Sequence, residues 1–197
     1  MESSSMKAKR IFILLGHPNK ETLSGALATE YETTAKAAGH EVRRINLGDL
    51  SFDPILHLGY KAIQELEPDL KTVQENITWC EHFVLVHPNW WGGMPALLKG
   101  MWDRMFLPRF AFRMWKSRLG WDGLLKGRTA RVIVLCGNPA FLDWLAFGDF
   151  TASLKRSLLQ FAGIRTSVTT FGLSETSSDG RREIWKKKVR RLAKAGR

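Results

Sequence analysis

Three short apolar runs, Ile11 to Leu15 (IFILL), Phe83 to Val86 (FVLV) and Val132 to Leu135 (VIVL), show almost no polar alternation. That is the pattern of strands buried on both faces of a parallel sheet. Glu41 to Leu47 (EVRRINL) and Thr166 to Phe171 (TSVTTF) are more polar and read as strands nearer an edge. Segments of helical period lie between them: Leu23 to Ala38 closed by Gly39, a stretch around Leu70 to Cys80, Pro95 to Met105, Phe150 to Ala162 closed by Gly163, and a basic segment at the C-terminus. In the third of these, Leu97, Leu98, Met101, Trp102 and Met105 fall at core spacing. Alternation of this kind predicts a doubly wound α/β sheet. Residues 10–197 read as one domain behind a disordered lead-in at residues 1–9, with no repeat and no linker.

One region breaks the rhythm. Residues 106–126 (FLPRFAFRMWKSRLGWDGLLK) form an aromatic and basic insertion without a clean period, and insertions of that length between sheet elements are usually functional or interfacial. Arg109, Phe110, Phe112, Arg113, Trp115, Lys116 and Arg118 suit either a dimer interface or peripheral contact with an anionic membrane surface.

Composition narrows the setting. The two cysteines, Cys80 and Cys136, are too few for a disulfide framework and suggest a reducing cytoplasm. The first ten residues lack the apolar core of a signal peptide. His82 to Leu98, although uncharged, is interrupted by Pro88, Asn89, Gly92, Gly93 and Pro95 and is too short to span a bilayer. The net charge of +11 invites a nucleic-acid reading, but its distribution argues otherwise. Residues 99–131 hold nine Lys/Arg against two Asp/Glu, residues 181–197 hold nine against one, and the rest is close to neutral. The terminal segment GRREIWKKKVRRLAKAGR reads as an amphipathic helix with Ile184, Trp185, Lys188, Val189 and Leu192 on its inward side and a solvated basic face. Nucleic acid is therefore disfavoured as a partner.

Ligands of open doubly wound sheets bind beyond the carboxyl ends of the strands, which singles out three loops. After the first strand, Gly16-His17-Pro18-Asn19-Lys20-Glu21-Thr22-Leu23-Ser24-Gly25 delivers hydroxyls and free N–H groups to a helix N-terminus, a natural phosphate site. Thr22 or Ser24 would serve equally as a plain N-cap. After the third, His87-Pro88-Asn89-Trp90-Trp91-Gly92-Gly93-Met94-Pro95 pairs two indoles with two glycines. This arrangement suits a planar cofactor lying against backbone amides, or a hydrophobic staple at the start of a helix. After the fourth, Cys136-Gly137-Asn138-Pro139 could close a third side, with Cys136 an inert small residue at a strand end. The histidines show no metal-ligand spacing, and no metal site is expected.

These loops resemble a known family. HPNWWGGMPALLKGMWDRMFLPRFAF is similar to the signature of the flavodoxin-like NAD(P)H quinone oxidoreductases, and GHPNKETLS resembles that family's flavin-phosphate loop. INLGDLSFDPIL and WLAFGDFTASLKRSLLQFAGI add further matches in the family's order. The resemblance implies a flavodoxin-like five-stranded parallel sheet with helices on both faces. It also implies a cytoplasmic homodimer holding a flavin that alternates between NAD(P)H and a quinone-like acceptor. On this reading His17, Thr22, Leu23 and Ser24 hold the flavin phosphate and adjoining chain. Pro88, Asn89, Trp90, Trp91, Gly92 and Gly93 line the ring through backbone N–H groups, and Cys136 and Gly137 close the third edge. The flavin carries the chemistry, with Trp91 and Gly92 nearest the reacting ring, and no catalytic side chain is assigned. Relatives of this fold also serve as ancillary subunits of potassium efflux transporters, the alternative role.

The departures are specific. CGNP stands where animal members place two Thr and two Gly, and Phe141 and Phe147 fall near the positions of a Tyr and a His that move protons there. An aromatic common after the second Trp is Gly92, which would open the pocket or shift the loop. The short C-terminus favours FMN, with FAD left open.

Overall fold

The computed structural model describes residues 7–59, 61–116 and 119–197. Residues 1–6 of the expected lead-in, and Arg118 of the basic insertion, lie outside the described residues. Lys9 is already anchored, its backbone N–H donating to His40 Nδ1 at 3.1 Å and its ammonium to the Gly196 carbonyl at 2.9 Å.

In chain order the elements are β1 (Arg10–Leu15), α1 (Leu23–Ala37), β2 (Glu41–Asn46), α2 (Pro68–Trp79), β3 (His82–Pro88), α3 (Ala96–Met105), β4 (Phe112–Met114), β5 (Trp121–Gly123), β6 (Thr129–Leu135), α4 (Ala140–Phe147), β7 (Arg165–Phe171) and α5 (Asp179–Lys194). Five strands form one parallel sheet in the order β2-β1-β3-β6-β7. This is the doubly wound, flavodoxin-like sheet that the alternation and the resemblance imply. The three apolar runs are its central strands and the two polar ones its edges, because only the central strands are covered on both faces.

Strand alternation sorts the core into two layers. Phe12, Leu14, Phe83, Leu85, Val132 and Val134 face α2, α3 and the segment Ser153–Gln160, while Ile11, Ile13, Leu15, Val84, Val86, Ile133 and Leu135 face α1 and α5. Leu98, Met101, Trp102 and Met105 are buried as expected. Helix α1 closes in a Schellman turn: Gly39, at φ +86°, donates to Lys36 O and His40 donates to Ala35 O.

Four local features differ from expectation. The insertion contains an antiparallel hairpin, β4 with β5, and its aromatics are partly used internally: Phe112 and Trp121 both pack on Phe161, the latter stacked at 4.4 Å. Ser153–Gln160 winds as a π-helix within the stretch expected to be α. On α5, Trp185 and Val189 are buried as expected and Ala193 joins them, whereas Ile184 and Lys188, also expected inward, are exposed, Ile184 to 65%. Finally, α4 occupies a stretch to which the pattern assigned no element.

The long connection from β2 to α2 is held by one buried cation. Arg104 on α3 forks onto Glu67 at 3.0 Å to each carboxylate oxygen and also donates to the carbonyls of Glu65, at 2.9 Å, and Asp53. Arg104→Met leaves the carboxylate and both carbonyls without this donor, and should cost about 3 kcal/mol of stability in urea unfolding.

Candidate functional site

Three loops meet at the carboxyl end of the sheet, around the point where the strand order reverses between β1 and β3. Gly16 N–H donates to Val86 O at 2.8 Å and Asn89 N–H to Leu135 O at 2.7 Å, so each loop starts pinned to its neighbour.

The first loop is pre-shaped. Asn19 Oδ1 accepts the Glu21 N–H at 2.9 Å, and Thr22 Oγ1 accepts the Gly25 N–H at 3.3 Å as the N-cap of α1. Thr22 is therefore a cap, and the first-turn N–H groups of Leu23 and Ser24 still have no intrahelical acceptor. Ser24 is buried beneath the turn. His17 Nδ1 accepts the Asn19 N–H at 2.9 Å, which leaves its ring proton on Nε2. Burial lowers its pKa below the ordinary 6.5, so at neutral pH it is an uncharged donor. Its ring meets that of Trp90 edge-on at 5.4 Å, joining the first loop to the second.

The second loop is a tight turn. Trp90 N–H donates to Gly93 O at 2.8 Å and Gly93 N–H to Trp90 O at 3.0 Å, with Trp91 at φ +53° and Gly92 at φ +73° between them. This is the pattern of a type I′ turn. Its consequence is a correction: Asn89, Trp90 and Gly93 have their N–H groups engaged and Pro88 has none, leaving those of Trp91 and Gly92 for a ligand edge. Trp91 stands 97% exposed at the tip in a conformation rarely adopted by a bulky residue.

The third loop also differs from expectation. Cys136 is fully buried, its thiol pushed up to about 12 by burial and, next, by the negative charge of Asp143. It sits under the loop, and the exposed positions are Gly137 and Asn138. Sequence reasoning missed Asp143, the buried carboxylate of α4. It accepts from Asn89 Nδ2 at 2.9 Å and Asn138 Nδ2 at 3.0 Å, tying the second loop to the third. A lone acid inside AFLDWLAF was the available signal, but nothing local names its partners. Gly92 leaves no opening: a Cβ there would lie 3.1 Å from Phe147 Cγ, so the Phe147 ring rests on the turn.

Two concavities lie away from the second and third loops. A polar groove of about 1360 Å³ runs from Thr22 and Leu23 along α1 toward Arg44, Arg182 and Lys186. An apolar one of about 1090 Å³ lies between α2 and residues 107–110 and includes none of the predicted site residues. Among the described residues, no cluster of His, Cys, Asp and Glu could hold a metal ion, and no helix is long and apolar enough to cross a membrane.

A family model for the flavodoxin-like fold matches residues 9–195. The chain belongs to that family. Among the relatives of this flavodoxin-like protein, NAD(P)H dehydrogenase [quinone] 1 of Cavia porcellus is 25% identical, the match covering 93% of this chain and 77% of the relative. The Smu.1420 structure from Streptococcus mutans superposes with a TM-score of 0.79 at 28% identity, covering 94% of this chain and 98% of that one. An FMN-dependent NADH-azoreductase of Bacillus anthracis, solved with FMN, gives a TM-score of 0.73 at 21% identity over 93% and 97% of the two chains. The resemblance seen in the loop motifs thus extends over most of the flavodoxin-like chain.

His87, the penultimate residue of β3, is buried with Nε2 lacking a protein partner, and burial brings its pKa down to about 4. Buried His82 falls to about 3 for the same main reason. Both are neutral in the fold and take up protons near 6.5 once unfolded, so stability falls as pH drops from about 6.5 toward 4. Urea midpoints across that range should show the decline, and His87→Leu should lessen it. Trp91→Asn, which suits a positive φ, should raise stability by up to about 1 kcal/mol in the same assay.

Proposed function

We propose that this flavodoxin-like protein is an FMN-dependent NAD(P)H:quinone oxidoreductase that reduces quinones or related flat electrophiles by two electrons. The observation that carries this reading is the convergence of the three loops: a neutral His17 donor and the free first turn of α1 beside a turn presenting two indoles and two N–H groups.

The residues fit a flavin. The Leu23 and Ser24 N–H groups, with His17 Nε2–H, form a donor set for a phosphate at a helix N-terminus. Asn89 Oδ1 is buried without a partner, an acceptor suited to a ring N–H, and the Trp91 and Gly92 N–H groups suit a ring edge that gains negative charge. When bound, the flavin supplies the redox chemistry, accepting two electrons from NAD(P)H and yielding them to a quinone. The chain's part is to hold the phosphate, fix the ring against the turn and exclude water with indole and phenyl surface. Phe141 and Phe147 carry no titratable group, so the protons taken up by the quinone come from solvent or from another group of the site. FMN is supported by the azoreductase of similar fold, and a quinone acceptor by the Cavia porcellus relative.

The homodimer belongs to the same proposal. Phe141, Trp144 and Leu145 on α4 stand 68%, 62% and 73% exposed, and exposed apolar side chains gathered on one helix mark an interface. A reducing, cytoplasmic setting accords with two buried free thiols.

The purified protein should be yellow or become so with FMN, and should turn over menadione with NADPH or NADH at no less than about 1 per second. His17→Ala should raise the Kd for FMN about tenfold in a fluorescence titration, since a hydrogen bond to a charged phosphate is lost. A colourless protein that FMN cannot reconstitute would sink the reading.

A further inference from the structure

Helix α4 is built inside out. Its sequence AFLDWLAF is apolar at every position but one, yet Asp143 is 3% exposed while Phe141, Leu142, Trp144, Leu145 and Phe147 reach solvent. Eight residues are too few to form a stable helix alone, and the helix turns most of its apolar surface away from the core that would ordinarily hold it. What fixes it is the carboxylate: one oxygen takes an N–H of Asn89 from the second loop, and the other an N–H of Asn138 from the third. A carboxylate suits this place because it offers an acceptor to each of two amides that both point donors at it. Phe147 follows one turn later on the same side of the helix, and its ring lies on Gly92.

We propose that Asp143 is the positioning residue for the acceptor side of the site: by bridging Asn89 and Asn138 it sets α4 so that Phe147 covers Gly92. The mouth thereby gains an apolar wall selective for flat, hydrophobic acceptors. The selectivity rests on the oxidoreductase reading above, whereas the anchoring of α4 does not. The wall replaces, from another element, the side chain that Gly92 lacks, so acceptor choice is governed by a contact between the second loop and α4.

The test compares wild type with Asn138→Asp, the double variant Asn138→Asp/Asp143→Asn, and Phe147→Ala. Three quantities are measured: the FMN Kd, kcat and KM for menadione and for ferricyanide, and hydrogen exchange of residues 140–147 in flavin-free protein. Asn138→Asp sets two carboxylates against each other. It should speed exchange in α4 and raise the menadione KM about tenfold, with kcat, FMN affinity and ferricyanide KM changed by less than about threefold. Adding Asp143→Asn should restore protection and KM, because the new amide accepts from Asn89 and donates to the new carboxylate. Phe147→Ala leaves the anchor intact, so it reports on the wall even where Asn138→Asp folds poorly, and should reproduce the menadione effect alone. An Asn138→Asp protein with unchanged exchange and KM, a double variant no better than the single, or an unaffected menadione KM in Phe147→Ala would each overturn the proposal. Wild type that neither binds FMN nor reduces acceptors defeats the functional reading and the selectivity with it. The exchange data then still decide the anchor, with loss and rescue supporting it and no change overturning it.

Discussion

The pairing of every backbone N–H and C=O in the three central parallel strands governs the rest of the molecule. Strands β1, β3 and β6 lie deep between helical layers, where an unpaired amide has no water to turn to, so their ladders must be complete. Completeness holds only as far as the strand ends. Beyond them the chain must diverge, and because β2 and β3 leave β1 in opposite directions, the loops part there and expose a concave rim. Polar groups free of the ladder concentrate at that rim, which is why a deeply apolar sheet carries its chemistry at one edge.

The three loops are rigid for different reasons. The first is shaped by its own side chains, Asn19 and Thr22 satisfying nearby N–H groups. The second is closed by two reciprocal backbone bonds, at the expense of a tryptophan in a left-handed conformation. Local strain of this kind persists where surrounding structure over-determines it, and it collects at functional positions. The third is held by Asp143, through amides supplied by two loops, and by backbone bonds from Leu173 and Ser174. Of the basic excess that dominates the composition, Lys20 stands in the first rim loop, paired with Asp49, and much of the rest is spent on surface pairs such as Arg190 with Glu30.

Much of this was legible along the chain. Ile11 to Leu15, Phe83 to Val86 and Val132 to Leu135 announced central strands because burial on both faces leaves no polar alternation to read otherwise. Gly39 and Gly163 announced helix ends, since a left-handed residue there favours glycine. The cap of α1 in the first loop was identifiable because a cap acts on N–H groups two or three positions away. Helix α4 was not, because an apolar octet opening on Pro139 lacks both a polar face and a capping side chain. Cys136 is buried at its strand end, as an inert small residue there would be, whereas Ile184 was placed on the wrong side of α5 because a one-residue error in facing is invisible to local pattern.

The sequence by itself determined the five strands of the main sheet and most of the helices around it, the division into central and edge strands, and the three loops that carry polar chemistry. Each of those properties is set by neighbours within a turn or a pleat. Tertiary structure alone decided which N–H groups remain free, that the Phe147 ring fills the space over Gly92, and that Asp143 bridges residues 54 and 5 positions away. Those facts depend on contacts between elements distant in the chain, where a buried hydrogen bond or a ring on a glycine is fixed by packing and leaves no period to read.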